Sequence, residues 1–259
     1  MPPFHSFEPG PGPVVVTAIH AGHDLSSQVA ERCALRDPER LREEDPFTDR
    51  FIPEGTPSIV VHRSRFEVDL NRPRERAVYR GPDDAWGMSI WKRPLREEEV
   101  TAALRSYDAF YAEVAEDLDA RAAAGPFVVL DLHAYNHRRS GPDAPPAPGV
   151  DNPEINVGTR WPDRARRTSL IEGFEADLAS ATVAGHHPDV RENVKFKGGN
   201  FSQWINARYA GRGRAIAVEF KKVYMDEWTG AVDVGHVADL ADAVSSTLPA
   251  LHERLVSAA

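Results

Sequence analysis

Three runs of apolar, mostly β-branched residues organise this chain, and each leads into a residue that can bind a metal or carry a proton. Val14-Val15-Val16-Thr17-Ala18-Ile19 runs into His20, Phe127-Val128-Val129-Leu130-Asp131-Leu132 into His133, and Ala215-Ile216-Ala217-Val218 into Glu219. Runs without polar alternation suit strands covered on both faces, as in parallel sheets. Ligands of open α/β sheets gather beyond the carboxyl ends of such strands. The pattern therefore predicts that His20, His133 and Glu219 converge at one end of a sheet.

Elsewhere the apolar spacing changes to three and four. Over residues 97–124, Val100, Leu104, Tyr107, Tyr111, Val114 and Leu118 recur at helical intervals, and Gly125-Pro126 stops the pattern. Further helices are predicted over 26–35, 169–184 and 237–256, and a further strand at Ile59-Val60-Val61-His62. Residues 140–153 hold five prolines among glycines and aspartates and read as a long exposed loop. Loops of that length are more often functional than idle. Strand-like and helix-like segments alternate with no repeat and no linker. A single domain over 1–259 is expected, a three-layer α/β/α sandwich around a mostly parallel mixed sheet.

Composition narrows the function classes. With 259 residues, 41% of them apolar, the chain can bury a substantial core. A net charge of -9 without a long basic run argues against a nucleic-acid partner. No apolar window of about 18 residues occurs, and the Pro- and Gly-rich N-terminus lacks a basic-then-apolar stretch, so neither a membrane span nor a secretory leader is expected. The single cysteine, Cys33, has no disulfide partner within the chain, which fits a reducing cytoplasm.

The polar residues at the ends of the runs carry the chemistry. His20 and His23 lie three residues apart in the turn after the first run, where two imidazoles can face one ion. A catalytic zinc takes about three protein ligands and keeps an open position. His20 and His133 supply two. The third is either His23, by local spacing, or a carboxylate of the acidic turn Glu43-Glu44-Asp45, with Asp45 first among them. Glu219 is either neutralised by Lys221 or Lys222, or kept partly desolvated as a general base beside an activated water. Arg65, Asn71 and Arg72 can grip a substrate carboxylate and still offer a guanidinium to a developing oxyanion. The alternative for that segment is a solvated salt-bridge surface. No Gly-x-Ser-x-Gly turn is present, which disfavours a serine hydrolase.

Taken together, the motifs resemble those of one family. Ser64-Arg65-Phe66-Glu67-Val68-Asp69-Leu70-Asn71-Arg72-Pro73 is similar to a signature of the N-formylglutamate amidohydrolases. Ile19-His20-Ala21-Gly22 resembles their Pro-His-Ala/Ser-Gly turn, and Asp45, ahead of Arg50-Phe51, falls where they have an aspartate. Asp131-Leu132-His133-Ala134, Asn156-Val157-Gly158-Thr159 and Phe196-Lys197-Gly198-Gly199 resemble further motifs in the same order, as do Val218-Glu219 and Tyr224-Met225-Asp226-Glu227. The resemblance spans residues 14–230.

That resemblance implies a zinc-carboxypeptidase/phosphorylase-hydrolase-like fold and a metal-dependent hydrolase acting on linear amide C–N bonds. One zinc ion per chain would be held by His20, His133 and Asp45, with His23 retained as an alternative. Glu219 would activate water, Arg65 polarise the scissile carbonyl, and Asn71 and Arg72, with Gly198 and Gly199, bind substrate. The expected substrate is a small N-acyl amino acid with a free carboxylate, N-formylglutamate being the reference case. A carboxypeptidase-like peptidase and a non-catalytic carboxylate-binding protein are the alternatives. Two stretches, 134–139 and 200–204, depart from the family's usual residues and are expected to alter the pocket lining.

Overall fold

The computed structural model describes residues 3–160 and 168–257. Among these, seven strands form one sheet: β1 (His5–Glu8), β2 (Val14–Ala18), β3 (Ser58–Val61), β4 (Phe127–Tyr135), β5 (Ile155–Gly158), β6 (Val190–Glu192) and β7 (Gly213–Lys221). Their order is β1-β3-β2-β4-β7-β5-β6. The four strands β3, β2, β4 and β7 are parallel neighbours, while β1 runs antiparallel to β3 at one edge. On the other side β5 runs antiparallel to β7 and pairs with β6 in parallel. The expected mixed, mostly parallel sheet is present.

Helices cover both faces. α3 (Glu97–Ala124) and α5 (Asn200–Arg208) pack on one, through Phe110, Val114, Leu118, Phe201 and Ile205 against Val15, Phe127, Val129 and Ala215. α4 (Thr168–Ser180) and α6 (Val234–Ser257) pack on the other, through Phe174, Leu178, Val244 and Leu251 against Val16, Leu130, Leu132, Ile216 and Val218. Two short helices, α1 (Ser27–Arg32) and α2 (Asp37–Glu43), lie in the connection from β2 to β3. Each fully buried side chain of these cores contributes on the order of 1.5–3 kcal/mol relative to exposure. Among the described residues, no helix is long and apolar enough to cross a membrane.

The differences from the sequence pattern have local causes. α3 matches its predicted limits, but the fully buried residues of its core-facing stripe include one outside the predicted set, Phe110, while Leu104 and Tyr111 are only partly covered. The helix expected over 26–35 stops at Arg32, where Cys33 turns extended and bridges to Trp91. α6 begins three residues early because Asp233 accepts the His236 N–H through Oδ1, as an N-cap side chain does. β1, β5 and β6 are only three or four residues long and carry polar positions, so no run marks them. β4 and β7 are longer than their apolar runs, and His133 and Glu219 therefore lie inside the strands.

Candidate active site

Strand periodicity lines the site. Successive side chains alternate between faces, and on β2, β4 and β7 the residues Val15, Phe127, Val129 and Ala215 face the α3/α5 layer. Continuing along the same face, the positions change from apolar to polar: Thr17 on β2, Asp131 and His133 on β4, Glu219 on β7, all buried. The unbroken register of β4 and β7 sets His133 directly opposite Glu219. His20 follows β2 in a turn that packs onto the end of β3. A Cβ on Gly22 would fall 2.2 Å from the His62 carbonyl carbon, so only glycine permits this approach. Asp45 comes from the loop after α2, and its N–H donates to the His20 carbonyl at 3.0 Å.

His20, Asp45 and His133 offer three ligand atoms within 4.8 Å of one another, all buried. The Nδ1 atoms of both histidines face the same oxygen, Asp45 Oδ2, at 3.4 Å and 2.9 Å. Each imidazole turns its Nε2 to another carboxylate, His20 to Asp69 at 2.8 Å and His133 to Asp131 at 3.1 Å. Asp131 is in turn fixed by the hydroxyls of Thr17 and Ser202. A carboxylate on the outer nitrogen assigns the proton there and directs the other nitrogen's lone pair inward. A cation between both Nδ1 atoms and Asp45 Oδ2 would meet those lone pairs, and without one the imidazoles instead donate to Asp45 from Nδ1. Burial pushes the Asp45 carboxyl up, but hydrogen bonds from His133 and His20 outweigh it and hold the group well below the usual carboxylate range. Burial lowers His133, whereas Asp131, Asp45 and Glu219 raise it well above an ordinary histidine. The donor set of two imidazoles and a carboxylate suits zinc.

His23 is not brought to this cluster. Its Nδ1 faces Glu44 Oε2 at 2.5 Å and its Nε2 lies 3.1 Å from Arg40 Nη2, with the side chain 37% exposed. Local spacing pointed to it, but in the turn after β2 its imidazole pairs with Glu44 and not with Asp45.

Asp69 ties the arginine segment to the histidines. Besides His20, its carboxylate accepts from Arg65 Nη2 at 2.8 Å, from the Tyr79 hydroxyl and from the Asn71 N–H. Burial alone would raise this carboxyl; Arg65 and His20 hold it well below its ordinary value. Arg65 also donates to the Glu43 carbonyl and the Tyr79 hydroxyl. Asn71 Oδ1 accepts the Phe201 N–H, which aims Nδ2 towards His133 Nε2, 3.4 Å away. Gly199 makes room for this amide: a Cβ there would sit 2.2 Å from Asn71 Oδ1.

These groups line a cavity of about 230 Å³ that includes His20, Asp45, His133, Glu219, Arg65, Asn71, Gly198 and Gly199. Arg72 is not in the lining; its guanidinium lies over the Tyr79 ring at 4.5 Å, with Nε 3.6 Å from Asp69 Oδ2. Of the two divergent stretches, the first contributes Ala134, Tyr135, Asn136 and Arg139 to the lining. The second does not line it and acts from behind, Ser202 through Asp131.

Glu219 is buried and, among the described residues, no hydrogen-bond donor engages its carboxylate. The lysines that could have neutralised it are occupied elsewhere: Lys221 Nζ reaches the Asn152 carbonyl, and Lys222 Nζ bonds the carbonyls of Arg42 and Glu44 and Asn136 Oδ1. Burial, reinforced by Asp45 and Asp131 against the pull of His133 and Arg65, pushes Glu219 up to about 7. A carboxylate poised there can take a proton near neutral pH.

The outer carboxylates Asp69 and Asp131, and the cavity residues Trp86 and Lys197, were assigned no role in the sequence-based expectation, while Glu43 entered it only as a possible metal-binding carboxylate and Lys222 only as a counter-ion for Glu219. Asp69 and Asp131 do stand inside the quoted motifs, two residues from Asn71 and from His133, and that spacing is the signal that could have found them.

Comparisons with known proteins bear on the family of the whole chain. A protein of Pseudomonas aeruginosa named N-formylglutamate deformylase is 25% identical over 273 residues, covering 97% of this chain and 96% of its own. The crystal structure of N-formylglutamate amidohydrolase from Ralstonia eutropha JMP134 superimposes with a TM-score of 0.72 at 20% identity, covering 98% of this chain and 99% of that one. A gene product of Agrobacterium tumefaciens superimposes with a TM-score of 0.57 at 19% identity, over 98% and 94% of the two chains. The family pattern itself runs from residue 12 to 225, from the strand before His20 to the segment after Glu219, and the chain belongs to the N-formylglutamate amidohydrolase family.

Proposed function

We propose that the chain, working as a single domain over residues 1–259, is a zinc-dependent amidohydrolase of the cytoplasm. It would cleave the amide bond of a small N-acyl amino acid with a free carboxylate, N-formylglutamate being the reference substrate. Family membership supports the amidohydrolase activity. The observation that carries metal dependence is the convergence of both histidine Nδ1 atoms on Asp45, each ring backed by its own carboxylate.

His20, Asp45 and His133 would hold one divalent ion per chain. When bound, such an ion supplies a Lewis acid that polarises a carbonyl and lowers the pKa of a water. Glu219 accepts the proton of the attacking water and returns it to the leaving nitrogen, so the amine departs neutral. A guanidinium has five N–H donors; Arg65 commits three to Asp69, Glu43 and Tyr79, which fixes its plane and leaves two for the developing oxyanion. Asn71 lines the cavity with Gly198 and Gly199, its Nδ2 towards His133, and the lining cations Arg139 and Lys197, with Arg72 next to Asn71 in the chain, would provide charge for the substrate carboxylate.

The test is elemental analysis of the purified protein coupled to a panel of N-acyl amino acids and short peptides. Zinc near one per chain with turnover of the N-acyl amino acids is the expected result. Turnover of peptides alone would make it a carboxypeptidase-like enzyme, and a metal-loaded protein that binds these acids without turnover would make it a carboxylate-binding protein.

A further inference from the structure

Lys222 is a fully buried lysine with no part in the chemistry above. It follows β7 directly, and its N–H donates to the Tyr135 carbonyl, extending the ladder to β4 by one bond. Its ammonium leaves the sheet and donates to the carbonyls of Arg42 and Glu44, at 2.7 Å and 2.6 Å, and to Asn136 Oδ1 at 3.0 Å. The Arg42 and Glu44 carbonyls lie at the carboxyl end of α2, where helical carbonyls lack intrahelical partners and the helix dipole favours a cation.

The neighbouring carbonyls are captured in the same way. Glu43 O accepts from Arg65, Asp45 O from the Thr48 hydroxyl, and Pro46 O from the Tyr224 hydroxyl at 2.9 Å. Every carbonyl from residue 42 to 46 thus takes a side-chain donor, and three of these five bonds come from Lys222 and Tyr224, on the segment leaving β7. Asp45 sits in the middle of this stretch. A loop has no ladder to hold it, and a ligand displaced by a fraction of an ångström loses its geometry.

We propose that Lys222 is a positioning residue, a clasp that joins the end of the Glu219 strand to the 42–46 segment and thereby holds Asp45 against His20 and His133. Although it lines the cavity, its ammonium bonds no metal-ligand side chain and acts through two main-chain carbonyls. This rests on the proposed metal site, yet electrostatics sets it apart from a simple charge effect: removing a positive charge near a cation site would by itself tighten metal binding. A loss of metal affinity on removing Lys222 therefore reports displaced geometry.

The experiment compares the full-length wild type with Lys222→Met and Lys222→Gln, the amide keeping part of the donor capacity. Zn2+ affinity is read by chelator competition, and amide hydrogen exchange is read on the ion-free proteins. Lys222→Met is expected to weaken Zn2+ binding by about 10–100-fold, the range for residues that orient ligands from behind, and Lys222→Gln by less. In an Asp45→Ala background the same change should have almost no further effect. Amides of residues 43–48 should exchange faster while those of β4 and α6 keep their protection. Unchanged Zn2+ affinity, an equal penalty without Asp45, or an even loss of protection throughout would overturn the proposal. If Lys222→Met does not fold, Lys222→Gln carries the same comparisons. If the wild type fails to bind Zn2+, the metal reading falls, and exchange over 43–48 still decides whether Lys222 is the clasp.

Discussion

His20 Nε2 lies 2.8 Å from Asp69 Oδ1, and the other oxygen of that carboxylate takes Arg65 Nη2 at the same distance. One buried aspartate thus bonds a metal-ligand candidate and the guanidinium proposed to meet the oxyanion. Asp69→Asn should weaken Zn2+ binding by about 10–100-fold and also lower kcat through a loosened Arg65. Asp131→Asn, at a carboxylate bonded to His133, Thr17 and Ser202, should lower metal affinity by a similar factor. Chelator competition and steady-state kinetics on zinc-saturated protein separate the two effects. Wild-type metal affinity in both variants would show that neither carboxylate fixes its imidazole.

The third ligand is decided by comparing Asp45→Ala with His23→Ala. Asp45 shares one oxygen between both histidines, whereas His23 is paired with Glu44 and partly open to solvent. Asp45→Ala, like His20→Ala and His133→Ala, should strip the ion and the activity together, while His23→Ala retains both. Elemental analysis after desalting measures this. Loss of the ion from His23→Ala alone would reverse the assignment.

How much of this was legible in the sequence varied with the range of the interactions. The strands β2, β4 and β7 could be read because burial on both faces leaves an apolar run, and their register is what brings His133 opposite Glu219. Asp45 could be tied to the histidines only through family resemblance, since 25 residues separate it from His20 and 88 from His133 and no periodicity links them. Lys222 looked like a counter-ion for Glu219 because the two are three residues apart. In a strand that continues to Lys221, the side chains at 219 and 222 point to opposite faces, so the ammonium meets the α2 carbonyls instead.

Glu219→Gln should keep fold and metal and lose turnover. The amide fills the same space but cannot accept the proton, and general acid–base catalysis contributes on the order of 10²–10⁴-fold, so kcat should fall by about that factor. Near-normal kcat in a zinc-loaded Glu219→Gln protein would move the base to another residue.

Arg65 and Arg72 should divide transition-state and ground-state binding. Arg65 lines the cavity with two N–H groups uncommitted, so Arg65→Lys should lower kcat. Arg72→Lys keeps a charge but loses the planar fork, and should raise KM for the acid while leaving the corresponding amide unaffected. Steady-state kinetics with both substrates checks it. Equal penalties on acid and amide would assign Arg72 to holding Tyr79 and Asp69, and the same comparison on Arg139→Lys would then locate the carboxylate.

Lys222 should leave its mark on stability as a function of pH. Burial pushes its ammonium down to about 8 from an ordinary value of 10.5, against the opposing pull of Asp45, Glu43 and Glu227 and with a smaller push from Arg65. Between those two values the unfolded chain holds a proton that the folded chain has released, so stability rises with pH across that window. Below about pH 8 the full cost of burying the charge is present, and by pH 10.5 up to about 3 kcal/mol of it should be relieved. The buried tyrosines Tyr79 and Tyr224 act the other way above pH 10, since burial raises their hydroxyls and the unfolded chain loses those protons first. The wild type minus Lys222→Met difference cancels that contribution. Urea unfolding of the ion-free proteins at several pH values should therefore show this difference shifting in favour of the wild type between pH 8 and 10. A pH-independent difference would mean that the ammonium keeps its ordinary affinity for protons in the folded protein, with the three acceptors around it compensating fully for the water it has lost.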